Sequence, residues 1–281
     1  MASSSAIELT DREFHLLRRL VYDRTGIHLP DSKRLLLANR LRRRLRAHNL
    51  DSFMDYYTML NRGGSAIQEE TEEFLSQITT NETYFFRNEK LWSTFSKTLL
   101  TRLVELRSRA KRIDVWSAAA SSGEEAYSVA ISMLEASSQL SGWRFSILGT
   151  DISPRMLDRA RAGLYGEYAV SRTPKNLLTK YFKRQPDGQH QVVEKARAVV
   201  RFKFHNLRDV LKESPMDFVL LRNVMMYFDA DMKARVLRNV IKATRPGGYI
   251  FSGDVDPIRS SMDLTQFPEL EPTGPFVYRR H

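Results

Sequence analysis

The sequence predicts an α/β protein: a mostly parallel sheet with helices on both faces, preceded by a purely helical region. Two observations predict it. Before about residue 110, apolar residues recur at helical spacing and no segment reads convincingly as a strand. After it, short apolar runs alternate with turns and amphipathic helices, the order that builds parallel sheets. A hydrophobic fraction of 42% in 281 residues supports a sizeable core, in one large domain or two modest ones.

Thr10 followed by Glu13 has capping-box spacing, so a helix is expected from there through Phe14, Leu17, Leu20 and Val21, stopping at Gly26. A second helix is expected from about residue 31 or 32 to 47, with Leu37, Ala38, Leu41 and Leu45 as its apolar stripe. Arg40, Arg42, Arg43, Arg44 and Arg46 then fan around its other faces. Shorter helices are expected at 52–60 and 69–79, with Arg62-Gly63-Gly64-Ser65 as the loop between them. Asn88 is a good N-cap for a long helix carrying Leu91, Trp92, Phe95, Leu99, Leu103 and Leu106.

Ile113-Asp114-Val115-Trp116-Ser117 opens the strand series, and residues 124–139 read as a helix. Strands are expected at 145–150, 199–204, 218–221 and 249–253. Ser153-Pro154 starts a short helix closed by Gly163. Gln185-Pro186-Asp187-Gly188 is turn chemistry between two short strands. A helix over 231–244 is expected to end at Pro246-Gly247-Gly248.

The chain has no cysteine, which excludes disulfides, a thiolate nucleophile and cysteine-held zinc. No metal site is expected. The N-terminus lacks the basic start and apolar stretch of a signal peptide, and no apolar run approaches a membrane span, so a cytoplasmic protein without membrane insertion is expected. The net charge of +11 favours an acidic partner: nucleic acid, a membrane surface or an acidic protein.

Ligands of open parallel sheets sit beyond the carboxyl ends of the strands. That rule selects four loops, at 118–125, 151–154, 205–207 and 222–227. The first is built almost wholly of small residues and ends in Gly123-Glu124-Glu125. Small side chains admit a ligand close to the backbone. Paired acids there would repel a pyrophosphate and suit a ligand with a positive charge; a tight turn with two solvated glutamates is the competing reading. Asp151, at the end of a strand, is placed to accept bonds from ribose hydroxyls. Together the two loops favour a nucleoside. Arg222 and Asn223 follow an apolar strand and are expected at the sheet's mouth.

Asn81-Glu82-Thr83-Tyr84-Phe85-Phe86-Arg87 resembles the N-x-T-x-F-F-R signature of the CheR family of chemoreceptor glutamate methyltransferases. Residues 116–128 are similar to the family's W-S-A-A-x-S-x-G-E-E-P-Y-S stretch. Asp151-Ile152-Ser153, Asn206-Leu207, Arg222-Asn223-Val224-Met225-Met226-Tyr227-Phe228 and Arg245-Pro246-Gly247-Gly248-Tyr249 match in the same order. The likeness runs from about Asp11 to Tyr278. It implies an N-terminal all-helical, receptor-docking domain over 1–85. It also implies a Rossmann-like class I methyltransferase domain over 86–281, with a small antiparallel β-subdomain inserted at about 180–200.

The resemblance implies S-adenosylmethionine as cofactor and S-adenosylhomocysteine as product. By carry-over, Asn81, Thr83 and Arg87 meet the sulfonium end or the reacting centre. Glu124 takes the amino acid part, Asp151 the ribose, Asn206 and Leu207 the adenine, and Asn223 and Val224 the methionyl side. Tyr227 faces the transferring methyl, and with Arg87 it makes up the expected catalytic pair. Ala126 replaces the family's usual proline, and Ala120 stands where cysteine is frequent. The turn at 185–191 does not clearly match the type that binds a receptor C-terminal pentapeptide, which leaves that tether open.

A glutamate carboxylate is already ionised at neutral pH, so methyl transfer to it requires no general base. Positioning is then the main source of rate, and Arg87 is expected to orient the carboxylate. Residues 1–65 carry 12 Lys+Arg against 7 Asp+Glu. The expected partner is therefore the acidic helical methylation region of a chemoreceptor, docked on Arg40, Arg43, Arg44 and Arg46. The alternatives are a nucleic-acid methyltransferase and a non-catalytic cofactor-binding adaptor. The residues after the fourth strand lack a base-directed Asn-Pro-Pro-aromatic motif, and the polar positions in all four loops are intact.

Overall fold

The computed structural model describes residues 7–62, 65–79, 82–136, 140–253 and 257–281. Helix α1 (Asp11–Thr25) starts with the full capping box: Thr10 Oγ1 accepts from Glu13 N, and Glu13 Oε2 accepts from Thr10 N at 2.9 Å. It ends at Gly26, whose φ of 77° suits glycine and where a Cβ would lie 2.9 Å from Met232 Sδ. Helices α2 (Arg34–Ala47), α3 (Phe53–Asn61) and α4 (Ser65–Ile78) follow. Leu37, Ala38, Leu41 and Leu45 of α2 are buried, as their spacing predicts. They pack with Phe14, Leu17, Phe53, Tyr56 and Phe74 into a separate helical core.

The expected long helix is broken. Helix α5 (Glu89–Thr94) passes through a π-helical turn at Phe95–Leu99 into α6 (Leu100–Leu106). The wider turn resets the phase, so that Leu99, Leu100 and Leu103 continue the buried stripe begun by Leu91, Trp92 and Phe95.

The remaining elements are β1 (Arg112–Ala118), α7 (Glu124–Glu135), β2 (Arg144–Asp151), α8 (Pro154–Ala162), β3 (Leu164–Tyr165), α9 (Glu167–Val170), α10 (Lys175–Tyr181), β4 (Phe182–Arg184), β5 (His190–Val192), α11 (Glu194–Arg197), β6 (Val200–Phe204), β7 (Met216–Leu221), α12 (Ala230–Ala243), β8 (Thr244–Ser252), α13 (Ile258–Ser261), β9 (Leu270–Pro272) and β10 (Val277–Arg280). The main sheet has seven strands in the order β6-β2-β1-β7-β8-β10-β9. The first five are parallel; β10 runs antiparallel to both β8 and β9. All of β7, and all of β1 after Arg112, is buried, which is why both read as continuous apolar runs. Helices cover both faces, giving a Rossmann-like fold preceded by the all-helical region.

A second, antiparallel sheet has the order β3-β5-β4. Its β3 lies outside residues 180–200 and spans only two residues, too few for any periodicity to show. Pro246-Gly247-Gly248 does not precede the last parallel strand but lies within β8. There the register with β7 shifts between Met216 and Phe218, a bulge that absorbs the extra residues. The edge strand β9 carries Pro272, and β10, between β8 and β9, ends in Arg279 and Arg280; short length and polar ends hide both strands from pattern reading.

Candidate functional site

The chain leaves β1 for β2 and β6 on one side, then returns to β7 on the other. The loops after β1 and β7 therefore diverge, opening a crevice at the sheet's carboxyl edge. A cavity of about 320 Å³ lies there, within the size class of small-molecule sites. Its wall includes Ala119, Ala120 and Ser121, then Asp151 and Ile152, His205 to Leu207, and Arg222 to Val224. All four loops expected from the sequence thus meet in one place. Thr25, Ile27 to Pro30, Arg40, Ile78 and Thr79 of the helical domain form the opposite wall.

The loop after β1 is tightly wound. Ala119 and Ser121 have φ of 63° and 50°, and Ala120 N bonds Thr150 O at 2.7 Å. Gly123 has φ of 96°, and a Cβ on it would stand 2.9 Å from Ala160 Cβ. This turn sets the phase of α7, and adjacent helical residues point about 100° apart. Only one of the paired glutamates can face the crevice, and it is Glu125. Its Oε1 accepts from Ser117 Oγ and its Oε2 from Arg222 Nη1, both at 2.7 Å. Glu124 is 3% exposed and outside the cavity wall. Ser122 Oγ bonds both its oxygens at 2.9 and 2.8 Å, and burial pushes its carboxyl up to about 7.

Arg222 is 4% exposed. Besides Glu125, it donates through Nη2 to Arg87 O at 3.0 Å, and Trp92 Nε1 donates to that same carbonyl at 3.1 Å. Its Nε is buried with no partner among the described residues. Asp151 Oδ2 accepts from Ser121 N at 2.8 Å and Oδ1 from Ser153 N at 2.9 Å. Burial raises its carboxyl above the usual aspartate range, partly offset by these backbone donors.

His205 was not singled out from the sequence, yet it lines the cavity edge-on to Trp116, with ring centroids 5.8 Å apart. Burial lowers its pKa, favouring neutral imidazole, and its Nε2 has no partner among the described residues. Asn206 Nδ2 donates to Arg24 O at 2.7 Å, so this loop also ties the two domains together; Leu207 is buried. Asn223 takes φ of 55°, followed by Val224 and a 3-10 turn at Met225–Tyr227. Tyr227 O accepts from His28 N at 2.8 Å, and Ile27 bridges Phe228, which seats the helical domain over the crevice.

The Thr83 to Arg87 segment resolves into two sides. Phe85 is fully buried, edge-on to Tyr165 and Phe182 at 4.8 Å each, and Phe86 N bonds Ser128 Oγ at 3.0 Å. Thr83, Tyr84 and Arg87 face the cavity. Arg87 Nη1 donates to Glu82 O at 3.0 Å, and its guanidinium carbon sits 5.8 Å from the Tyr84 ring centroid. Asn81 lies outside the described residues.

The arginines of α2 are not equivalent. Arg40 lines the cavity and donates through Nη1 to Gln77 O and Ile78 O at 3.0 and 2.8 Å, capping the end of α4. Arg44 is ion-paired with Glu70, which also accepts from Tyr56 Oη at 2.5 Å. Arg43 donates to Gln77 Oε1 at 3.0 Å, and like Arg46 it is exposed. The count over residues 1–65 leaves out one feature of the charge: α4 adds Glu69, Glu70, Glu72 and Glu73, and Glu70 pairs with Arg44, so part of the positive charge of α2 is neutralised within the domain.

The wall offers a recessed carboxylate at Asp151, a buried carboxylate–guanidinium pair, two orphaned nitrogens and a floor of small residues. That donor and acceptor set fits a nucleoside that also carries an amino acid tail. Among the described residues, no group of three or more His, Cys, Asp or Glu is arranged to hold a metal ion.

Comparison with known proteins gives two family matches. The model described as "CheR methyltransferase, SAM binding domain" matches residues 81–272, and that described as "CheR methyltransferase, all-alpha domain" matches residues 12–79. The chain is 33% identical over 250 residues to chemotaxis protein methyltransferase 2 of Vibrio cholerae, covering 88% of this chain and 86% of that one. It is 33% identical to the chemotaxis protein methyltransferase of Borreliella burgdorferi, covering 92% of each. The Salmonella typhimurium chemotaxis protein methyltransferase is 35% identical, covering 88% of this chain and 84% of that one.

Proposed function

Since this chain belongs to the CheR methyltransferase family, we propose that it transfers a methyl group from S-adenosylmethionine to glutamate side chains of chemoreceptors, leaving methyl esters and S-adenosylhomocysteine. The observation that carries this reading is the convergence of all four rim loops with Thr83 and Arg87 on one cavity. When bound, S-adenosylmethionine supplies a sulfonium-activated methyl group. Asp151 would hold the ribose, the segment His205 to Leu207 the adenine, and Asn223 and Val224 the methionyl side. Glu125, rather than Glu124, would take the amino group, because it is the glutamate in the cavity wall. Asn81 and Thr83 would complete the sulfonium end.

The acceptor carboxylate is ionised at neutral pH and needs no base. Arg87 and Tyr227 orient it at the mouth, and the helical domain over the crevice keeps water away. The partner is the acidic helical methylation region of a receptor, met by the exposed Arg43 and Arg46 with Arg40 at the mouth. Arg44 contributes to folding through Glu70 instead. No helix among the described residues is long and apolar enough to cross a membrane; the place of action is the cytoplasm, where receptor methylation regions lie.

The test is transfer of labelled methyl to receptor fragments and to RNA in parallel. Base-labile label on the receptor fragment is expected. Label on RNA alone would make the chain a nucleic-acid enzyme, and binding of the cofactor without transfer would make it an adaptor.

A further inference from the structure

Tyr84 stands at the cavity mouth with a guanidinium from each of two elements against its ring. The Arg87 carbon is 5.8 Å from the ring centroid and the Arg172 carbon 5.3 Å. Arg172 comes from the turn after α9, in the segment inserted between β2 and β6, far from the signature that supplies Arg87. The same short helix sends Tyr168 Oη to Glu82 Oε1 at 2.6 Å, and the Tyr84 and Tyr168 rings meet edge-on at 6.3 Å. The insert is thereby fastened to the rim of the site on both sides of Thr83.

Neither arginine has a carboxylate partner among the described residues. Arg87 bonds a carbonyl oxygen, and Arg172 lies against the Tyr84 ring and close enough to Tyr168 to act on its hydroxyl. Other arginines of this chain do find carboxylate partners, such as the half-buried Arg18 with Asp31 and the exposed Arg201 with Glu213. Two like charges held against one ring repel each other, and an incoming anion relieves that repulsion. The guanidinium fork is shaped for a carboxylate.

We propose that Arg172 is a specificity-determining residue for the acceptor: with Arg87 it forms a carboxylate-reading rim, so that the insert takes part directly in selecting an acidic side chain on the receptor helix. This deepens the function proposed above and rests on it. The carboxylate read could belong to the receptor or to the methionyl tail of the cofactor, and the proposal commits to the receptor.

The experiment compares wild type with Arg172→Ala, Arg172→Lys and Arg172→Glu. It measures methyl transfer to an acidic receptor fragment at several salt concentrations, and S-adenosylhomocysteine binding by calorimetry. Arg172→Ala is expected to raise KM for the fragment about tenfold with kcat little changed, to flatten the salt dependence, and to leave S-adenosylhomocysteine affinity unaltered. Arg172→Lys recovers part of the loss, and Arg172→Glu deepens it. Wild-type kinetics in Arg172→Ala would overturn the proposal. So would a parallel loss of S-adenosylhomocysteine affinity, which would assign Arg172 to the cofactor or to holding Tyr84. If the wild type binds S-adenosylhomocysteine but methylates no receptor fragment, the proposed function itself fails and this inference falls with it.

Discussion

At the sheet rim, Arg222 is 4% exposed and divided between the Glu125 carboxylate and the Arg87 carbonyl; on α2, Arg43 and Arg46 stand in solvent. Both regions are rich in charge, but water decides what each charge contributes. A buried pair is costly to break because the survivor is stranded. An exposed arginine contributes little to the fold and is free to meet a partner, with a strength that salt can screen. The rim is therefore built for geometry and the helix for encounter.

The sharpest way to break that contrast is Arg222→Met, which strands Glu125 beside the crevice. Thermal or urea unfolding should show a loss of about 3–5 kcal/mol, with S-adenosylhomocysteine binding abolished. A loss no larger than that of an exposed arginine would put the rim and the helix in one class.

Glu124 sharpens the contrast through pH. Its carboxyl is pushed up to about 7 by burial, against a usual value of 4.5, with Ser122 and Arg159 only partly offsetting this and Tyr165 close by. The native state thus holds the proton more tightly than the unfolded chain. Its contribution to stability is present below about pH 4.5 and is lost as pH rises through about 7, roughly 3 kcal/mol in all. Glu124→Gln should remove that part of the slope between pH 5 and 7 in a series of unfolding curves. An unchanged slope would mean that Glu124 is not the group responsible.

For Asp151→Asn the expected effect is smaller. One oxygen that accepts Ser121 N or Ser153 N becomes an NH₂ facing a donor, a cost of about 1–3 kcal/mol, seen as weaker S-adenosylhomocysteine binding. Smallest per charge is the helix. Arg43→Glu with Arg46→Glu should leave unfolding within about 1 kcal/mol of wild type and cofactor affinity intact, while receptor methylation falls several-fold at low salt. Equal loss of both activities would place these arginines in the fold.

Much of this was legible in the sequence, because burial writes periodicity. Leu37, Leu41 and Leu45 announced α2, and the unbroken apolar runs of β1 and β7 announced central parallel strands. The four rim loops followed from the alternation of strands and helices, since ligands of parallel sheets sit beyond the strands' carboxyl ends. What escaped depends on phase or on distant contacts. Glu124 and Glu125 are neighbours of one chemistry, and only the turn at Gly123 decides which faces the crevice. Arg44 looks like its neighbours until Glu70, 26 residues away, is folded beside it. His205 sits in an expected loop but carries no motif of its own, and β3, β9 and β10 are too short or too polar to show a pattern.

The central claim is that this cavity holds a sulfonium nucleoside. Calorimetric titration of the purified chain with S-adenosylmethionine and S-adenosylhomocysteine tests it most directly. Saturable one-to-one binding of both, lost in Arg222→Met and kept in the double α2 variant, is the predicted result. Absence of heat from either compound, with the protein shown to be folded, would contradict it.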